Sequence, residues 1–349
     1  MAKSAVEFFS YTEKDFHFQV QCNNEDSNFD ILLKRKWAKA EEDNLLRYSV
    51  KVQQTKVVEG KYGFYAQLNI ERATLRRRPD DITSMIQPFD SEKFNFMKIP
   101  QNEILFNIGN CDENDIIAVN VSPILWGHSL FVSKCTSGLP QQATLHSFKK
   151  AIELVLLSNS ENMRVLFNSL CANASVNHLH WHFYYLNHRM LLESISLEYF
   201  IGSVYILHDF PAKGFCIKFS SFDYQDINKY ASYAYKIVSC LQENQIAHNI
   251  YITRSKTDKD KDIFDDIRIY IWARKPSYGI KNTNDFIIAA CELFGHLPIR
   301  SQEAYESMHE QYISEYLNDN TNDAFLSAQK LIEEILSQNV ENKNDLTLS

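Results

Sequence analysis

Three histidines occupy alternate positions in a ten-residue stretch that reads NHLHWHFYYL. They are His178, His180 and His182. The positions between and after them carry large apolar or aromatic side chains: Leu179, Trp181, Phe183 and Tyr185. Successive side chains of a β-strand point to opposite faces. The alternation therefore predicts a strand with one apolar face on a core and three imidazoles, with Tyr184, on the other.

Three interpretations of the histidine face are open. The imidazoles can be satisfied polar groups on a half-exposed sheet, they can bind a metal ion, or one can attack phosphorus while its neighbours donate hydrogen bonds to phosphate oxygens. A rise of about 3.3 Å per residue places His178 and His182 about 13 Å apart. Because metal–nitrogen bonds are about 2 Å long, at most two of the three histidines can share one zinc ion. We favour covalent catalysis at phosphorus and predict no metal and no cofactor.

Three segments of the chain resemble one branch of the histidine-triad superfamily. They are the basic arm RRRPDDITSMIQPFDSEKFNFMKIPQNEILF, the block VNVSPILWGHSLFVSK and the run FNSLCANASVNHLHWHFYYL. Together they resemble the GDP-D-glucose phosphorylases and the plant GDP-L-galactose phosphorylases, with the galactose-1-phosphate uridylyltransferases as more distant relatives. The resemblance extends from about Tyr62 to about Tyr316 and is strongest from Ile86 to Leu186.

The resemblance implies a nucleotidyltransferase that converts GDP-glucose and inorganic phosphate to GDP and glucose 1-phosphate. It implies that His180 attacks the α-phosphorus and carries a guanylyl group between two steps. His182 would donate a hydrogen bond to a phosphate oxygen, and His178 would orient its neighbour or only pack the strand. The expected partners are these small molecules, and the resemblance leaves the preferred GDP-hexose and the oligomeric state open.

Two alternative functions remain at this point. Transferase relatives often have Gln where this chain has His182, and the triad hydrolases have His there. Hydrolysis of GDP-sugars is therefore the first alternative. The second is a non-catalytic nucleotide-binding regulator of the same fold, although the intact histidine strand argues against it.

Four polar residues upstream of the histidine strand are candidates for substrate binding. Asn173, Ser175 and Asn177 are expected in a loop, where short polar side chains and free N–H groups suit phosphate or sugar contacts. Asn168 can contact ribose or phosphate, or it can form a turn.

The basic arm and a glycine–histidine pair supply two further candidates. Arg77 lies in the arm, where guanidinium groups can either match phosphate oxygens or face solvent in a loop. His128 follows Gly127, and we expect this pair to shape a loop and not to act in catalysis. No residue stands out for recognition of guanine.

Size and composition narrow the classes of protein. The chain has 349 residues, of which 45% are hydrophobic, a formal net charge of -8 and a pI of about 5.8. It lacks the basic footprint of nucleic-acid-binding proteins, so local groups must meet an anionic substrate. We see no apolar signal segment and no run near the roughly 18 apolar residues of a membrane span. The odd number of cysteines, without a CxxC pair, argues against a disulfide framework and predicts the cytoplasm.

The elements that position the histidine strand occur twice. A strand, a helix and two more strands are predicted between Ser129 and Leu186, and the order recurs between Phe215 and Ala273, at an offset of roughly 85 residues. The second copy of the key strand reads DIRIYIWAR and has no histidine, so only the first half can carry covalent chemistry. We predict an α+β fold of two duplicated, histidine-triad-like halves with antiparallel sheets and extra N- and C-terminal helices.

Four regions follow from this interpretation. They are an N-terminal extension with the basic arm (1–100), the active half (101–200), the histidine-free half with a C-terminal segment (201–316), and a C-terminal helix with a disordered tail (317–349). The predicted helices outside the duplicated core are Phe29–Tyr48, Gln302–Leu317 and Ala324–Leu336, the last two separated by a linker at LNDNTNDA. Pro140 is expected to open the helix of the active half at its first turn.

Overall fold

The computed structural model describes residues 6–109, 114–222, 226–278 and 286–345, with side chains up to residue 338. The strands in these ranges are β1 (Phe8–Phe9), β2 (Val20–Gln21), β3 (Gln54–Val57), β4 (Tyr65–Leu68), β5 (Ile104–Ile108), β6 (Ile116–Val119), β7 (Ser129–Val132), β8 (Met163–Asn168), β9 (His180–Tyr185), β10 (Glu198–Ile201), β11 (Val204–Ile206), β12 (Phe215–Lys218), β13 (His248–Ser255), β14 (Ile263–Phe264), β15 (Asp266–Ala273) and β16 (His296–Ile299). The helices are α1 (Asn28–Glu42), α2 (Ile70–Leu75), α3 (Leu145–Leu157), α4 (Ile227–Glu243), α5 (Ala290–Leu293), α6 (Gln302–Ser307) and α7 (Glu310–Asp345). The predicted α+β class is confirmed.

One sheet of eleven strands joins the two halves. Its order is β1-β5-β6-β7-β9-β8-β13-β15-β12-β11-β10, and only β1 and β5 pair in parallel. The first half contributes β7, α3, β8 and β9, and the second contributes β12, α4, β13 and β15 in the same sequence. β8 and β13 pair antiparallel at the centre, where Asn168 lies opposite Asn249. The duplicated fold is therefore confirmed, with its two sheets fused into one.

Different layers cover the two faces of this sheet. Helices α1, α3, α4 and α7 pack on one face, in a core that includes Trp181 and Phe183 of β9. The opposite face carries Tyr184, which packs in a second core. The predicted alternation along the histidine strand is confirmed, but its polar face is covered as well. His180 is only 1% exposed, so the interpretation of a half-exposed histidine face is wrong.

A three-stranded sheet forms the layer over the histidine face. β16 pairs in parallel with β4, and β4 pairs antiparallel with β3. Phe64 and Leu297 of this layer join Tyr184 and Tyr251 in the second core. Because parallel strands end at the same edge of a sheet, the residues after β4 and after β16 reach the same region.

Two predicted helix boundaries are wrong because capping groups set them elsewhere. The helix of the active half does not open at Pro140 but after Thr144, whose hydroxyl accepts a hydrogen bond from the Ser147 N–H at 3.1 Å. The first helix does not reach Tyr48, since Asn44 adopts the left-handed conformation, with φ of 56°, just after the helix end.

The predicted linker near the C-terminus is also wrong, because α7 runs through it without a break. The segment LNDNTNDA contains neither proline nor glycine, so its cost in a helix is modest. Thr321 in its middle is fully buried, and its hydroxyl donates to the Leu317 carbonyl at 2.9 Å and accepts from the Lys213 N–H at 3.0 Å. These tertiary contacts hold the polar segment in the helix.

The cysteines and helices add two observations. Cys111 lies outside the described residues, and the six cysteines within them are free thiols. Across the same residues, every helix is too short or too polar to cross a membrane.

Candidate active site

A cavity of about 260 Å³ lies beside the first residues of β9. His180 and His182 line it, together with side chains from the basic arm, from the loop before β9, from β6 and from the segment around β16. The centroids of the two imidazole rings are 4.9 Å apart. Two of the three histidines singled out in the sequence therefore face one cavity.

Backbone and amide groups fix His180 in one orientation and one tautomer. Its N–H donates to Gln141 Oε1 at 2.8 Å, and its carbonyl accepts from Gln141 Nε2 at 2.9 Å. The ring Nδ1 lies 2.7 Å from the His178 carbonyl. Because a carbonyl only accepts, Nδ1 carries the proton and Nε2 keeps its lone pair. Burial, with the nearby His182, holds the pKa of His180 well below its ordinary value, so the ring is neutral.

A chain of hydrogen bonds gives His182 the opposite tautomer. The backbone N–H of Ile124 donates to His128 Nδ1 at 2.9 Å, which places the His128 proton on Nε2. That Nε2 lies 3.1 Å from His182 Nδ1 and donates to it. The proton of His182 is therefore on Nε2. One backbone N–H thus makes His182 a hydrogen-bond donor, while one backbone carbonyl makes His180 a lone-pair base.

The amide of Asn120 also approaches His128 Nε2, with Nδ2 at 3.1 Å. An amide N–H there would compete for a lone pair that the assigned tautomer does not have. We assign the tautomer from Ile124, because a backbone N–H cannot turn whereas an amide side chain can. Burial holds the pKa values of both His128 and His182 well below the ordinary range, so a neutral pair with one proton on each ring is the stable state.

His128 is a site residue that the sequence interpretation missed. Its ring contacts His182, although we expected it only to shape a loop. The antiparallel pairing of β7 with β9 brings the two together, since Ser129 lies opposite Phe183 and Leu130 opposite His182. The signal in the sequence was the histidine directly before an apolar strand that must pair with the histidine strand.

The side chain of His178 lies away from the cavity. Its Nδ1 accepts from the Phe96 N–H at 3.0 Å, and its ring packs against Phe89 and Phe96 at centroid distances of 5.2 and 5.6 Å. The residue contacts His180 through its backbone carbonyl. The expected orienting role therefore falls to the main chain of His178, and its imidazole packs.

Arg77 lines the cavity and is held in place by an aromatic ring. Its guanidinium carbon lies 3.7 Å from the centroid of the Phe94 ring, and its Nη2 donates to the Ser175 carbonyl at 3.4 Å. Burial lowers the pKa of Arg77 to about 10. The neighbouring Arg78 is exposed and lies outside the cavity lining. Of these two neighbouring cations of the arm, Arg77 faces the cavity and Arg78 faces solvent.

The polar loop residues divide into lining and supporting groups. Asn168, Asn173 and Ser175 line the cavity, but Asn177 does not. The Asn177 amide donates to backbone carbonyls of the basic arm at 3.0 and 2.7 Å and its oxygen accepts from the Gln141 N–H at 2.9 Å. Its side chain is therefore fully used in holding the arm against the loop.

Asn168 and Asn173 make similar structural contacts at the rim. Asn168 Oδ1 accepts from Asn249 Nδ2 at 2.7 Å and from the Ala290 N–H at 2.9 Å. Asn173, in the left-handed conformation with φ of 68°, donates to the Ile288 carbonyl. Both amides thus join the two halves of the molecule at the cavity.

The cavity is positive although the chain as a whole is negative. The basic side chains that line it are Arg47, Arg72, Arg76, Arg77, Lys98 and Arg300, and the acidic ones are Asp80, Glu103 and Glu292. Six cations against three carboxylates give a local excess of positive charge within a chain of net charge -8. These side chains are the local positive groups that we expected from the sequence, because an anionic substrate must bind to a chain of negative net charge.

The second half has no comparable site on its equivalent strand. β15 presents Arg268, Tyr270 and Trp272 on the side of the second core. The guanidinium of Arg268 donates to the carbonyls of Leu192 and Ile195 at 3.1 and 2.9 Å. Backbone carbonyls therefore bind the cation on this side of β15. Among the described residues, we find no group of three or more His, Cys, Asp or Glu side chains arranged to hold a metal ion.

Comparison with known proteins gives a consistent result along the chain. Residues 28–184 match the family model "GDPGP1-like, N-terminal domain" and residues 196–339 match "GDPGP1-like, C-terminal domain". The fold is similar to that of the crystal structure of yeast Ap4A phosphorylase Apa2, with a TM-score of 0.60 at 12% identity over 84% of this chain and 94% of that one.

Curated relatives are similar over most of the sequence. GDP-D-glucose phosphorylase 1 of Homo sapiens is 39% identical over 298 residues, which are 81% of this chain and 77% of the relative. The Danio rerio protein of the same name is 36% identical, over 88% and 92% of the two chains. GDP-L-galactose phosphorylase 2 of Arabidopsis thaliana is 31% identical, over 86% and 75%. The chain therefore belongs to the GDP-D-glucose phosphorylase family.

Proposed function

We propose that this protein is a GDP-D-glucose phosphorylase, which converts GDP-glucose and inorganic phosphate to GDP and glucose 1-phosphate. The observation that carries the proposal is the pair of hydrogen-bond arrangements that assign a lone pair to His180 Nε2 and a proton to His182 Nε2, beside a positive cavity. The names of the curated relatives support the choice of substrates.

In the first step, His180 Nε2 attacks the α-phosphorus of GDP-glucose. A P–N bond forms, the bond from this phosphorus to the bridging oxygen breaks, and glucose 1-phosphate leaves. The N–H of His182 donates to a phosphate oxygen on which charge develops. The buried neutral ring of His180 supports this role because it needs no deprotonation before attack.

In the second step, an oxygen of inorganic phosphate attacks the guanylyl phosphorus. A P–O bond forms, the P–N bond breaks and GDP leaves, so that His180 recovers its lone pair. Neither step needs a net proton transfer. The arrangement fits this lack of proton transfer, since His182 can donate its hydrogen bond in both steps without losing its proton.

The other residues receive supporting roles in this proposal. Arg77 would bind a phosphate oxygen through the guanidinium edge that Phe94 and Ser175 leave open. Asn168 and Asn173 would hold the cavity rim, with Ser175 beside them, while Asn177 and the His178 carbonyl position the loop and His180. We also propose a cytoplasmic location, which rests on the cysteine pattern of the sequence.

We expect turnover of GDP-glucose to depend on phosphate and to yield GDP with glucose 1-phosphate. The guanylyl group needs a phosphate acceptor to become GDP, whereas water would give GMP. Chromatographic separation of products, with and without phosphate, checks this expectation. Equally fast conversion to GMP without phosphate would show a hydrolase instead.

We expect His128→Phe to lower turnover by at most about 10²–10³-fold, the usual cost of losing the donor to a developing charge, because His182 itself remains. Phenylalanine cannot donate to His182 Nδ1, so the proton of His182 is no longer confined to the side that faces the cavity. His128→Gln should restore part of the rate, because the glutamine Nε2 can donate from a similar position. Steady-state rates of both variants test this, and equal losses in both would contradict the assigned tautomer.

A further inference from the structure

Three arginines that line the cavity form a group of their own. Arg72 lies in α2 and Arg76 is its C-cap, while Arg300 directly follows β16. The backbone N–H of Asn69, which caps α2 at its other end, donates to the Ile299 carbonyl at 2.9 Å. Because β4 and β16 are parallel and end at the same edge, the three guanidinium groups arrive together from distant parts of the chain.

One carboxylate of the cavity lining, that of Glu292, raises the pKa of all three arginines through its charge. Glu292 is buried, and its carboxylate accepts from the Ala289 N–H at 2.8 Å and contacts Cys291 Sγ at 3.0 Å. Burial raises the pKa of Glu292. The hydrogen bonds of this carboxylate therefore go to its own short helix.

Arg72 and Arg76 differ in how they are bound. Arg72 donates to the Tyr48 hydroxyl at 3.1 Å and to the Ser122 carbonyl, which fixes its guanidinium. Within the part of the chain that the structure describes, no such bond reaches the Arg76 side chain. Burial, followed by the charges of Arg300 and Arg72, lowers the pKa of Arg76 to about 10. An anion between Arg76 and Arg300 would relieve this repulsion.

Different arginines act on the two histidines of the cavity. Burial, His128 and then Arg72 lower the pKa of His182, whereas the arginine that acts on His180 is Arg77. A guanylyl group on His180 Nε2 would thus have Arg77 beside it and the three-arginine group beyond His182. A leaving or an entering phosphate at the second position would meet these three cations.

We propose that Arg76 and Arg300 form the subsite that binds inorganic phosphate in the second step and the hexose-linked phosphate of the GDP-sugar in the first. This inference rests on the proposed function. The subsite would hold the entering phosphate with one oxygen directed at the guanylyl phosphorus, so that its P–O bond forms as the P–N bond to His180 breaks. Guanidinium groups suit it because they bind phosphate oxygens in bidentate fashion.

The test compares Arg76→Gln and Arg300→Gln with Arg78→Gln, a matched control on the exposed part of the same arm. The first measurement is the rate at which isolated guanylyl-enzyme loses its label, as a function of phosphate concentration and in water alone. Loss of one charged hydrogen-bonding partner should raise the half-saturating phosphate concentration by about 10–100-fold in the two subsite variants. Arg78→Gln should behave as wild type, and the rate of each variant in water is the reference for its phosphate-dependent rate. Arg300→Lys should recover part of the affinity.

A second measurement needs no turnover. Calorimetric titration of inorganic phosphate into protein saturated with GMP, which occupies the guanylyl position, should show the same loss of affinity in the two subsite variants. If wild-type protein does not bind phosphate under these conditions, or if the variants bind it as tightly as wild type, the subsite is wrongly placed. If no guanylyl-enzyme forms, but calorimetry shows phosphate binding by wild type and weaker binding by the two variants, the covalent mechanism is wrong and the subsite stands.

Discussion

His180→Asn is expected to lose nearly all turnover of GDP-glucose while keeping its fold. Asparagine can still donate from Nδ2 to the His178 carbonyl, as Nδ1 of the imidazole does at 2.7 Å, so the local backbone contact can persist. It cannot form a phosphoramidate that turns over. Removal of the nucleophile of a covalent mechanism costs several orders of magnitude, and we expect at least about 10⁴-fold in turnover rate.

His178→Asn is the matched control for this prediction. The substitution leaves the backbone carbonyl that fixes His180, and the imidazole that it removes packs against Phe89 and Phe96 outside the cavity. Turnover should therefore fall far less than in His180→Asn, even if stability falls. Steady-state assays with circular dichroism on both variants make the comparison. Near-normal turnover in His180→Asn, with loss of turnover in His178→Asn, would show that His180 is not the nucleophile.

The second large effect is a loss of stability as pH falls. The fully buried histidines of the described residues are His128, His178, His180, His248 and His296. Burial lowers the pKa of His178 and His248 to about 4 and that of His296 to about 3, and it holds the other two well below the ordinary range. The unfolded chain takes up these protons near pH 6.5, and the folded protein does not.

Stability from these groups is therefore fully present above about pH 6.5 and is lost as pH falls towards the folded-state pKa values. Each group contributes up to about 1.4 kcal/mol per pH unit, so we expect the free energy of unfolding to fall by about 5 kcal/mol between pH 7 and 5.5. Urea titrations at several pH values measure the slope. The buried carboxyl groups of Asp266 and Glu292, whose pKa values burial raises, act in the opposite sense and reduce it.

His248→Asn provides the control, because this residue lies in the second half and outside the cavity lining. Asparagine can keep the hydrogen bond that Nδ1 makes to the Ile246 carbonyl at 2.9 Å. The variant should show a shallower pH dependence by about one proton. A free energy of unfolding that does not change between pH 7 and 5.5 would contradict the neutral, buried state of these histidines.

Much of the fold could be predicted because two periodicities in the sequence are strong. The alternation from Leu179 to Tyr185 specifies a strand with distinct faces. The order of strands and helix recurs along the chain, and this recurrence specifies the duplication. The wrong helix start and the wrong linker were caused by hydrogen bonds of single residues. Pro140 is compatible with a helix start, but Thr144 offers a better N-cap, and Thr321 stays helical because distant backbone groups bind it.

The site was only partly predictable, because its members meet through tertiary structure. His180 and His182 stand together in sequence, whereas His128 joins them only through the register of β7 with β9. Arg300 reaches the cavity because β16 pairs with β4, a contact that no local pattern encodes. Asn177 looked like a binding residue because a short amide in a loop suits both substrate contact and hydrogen bonding to the backbone. The four sequence-derived regions and their boundaries stay predictions, as do the catalytic roles.

The covalent guanylyl-histidine is the centre of the proposed mechanism, and mass spectrometry tests it most directly. Wild-type protein and His180→Asn are each mixed briefly with GDP-glucose in the absence of phosphate, and intact masses and peptides are then measured. We predict one added guanylyl group on the wild-type peptide that contains His180, labile to acid as a P–N bond should be, and none on the variant. No adduct on wild type during turnover, or an adduct that persists in His180→Asn, would contradict the mechanism.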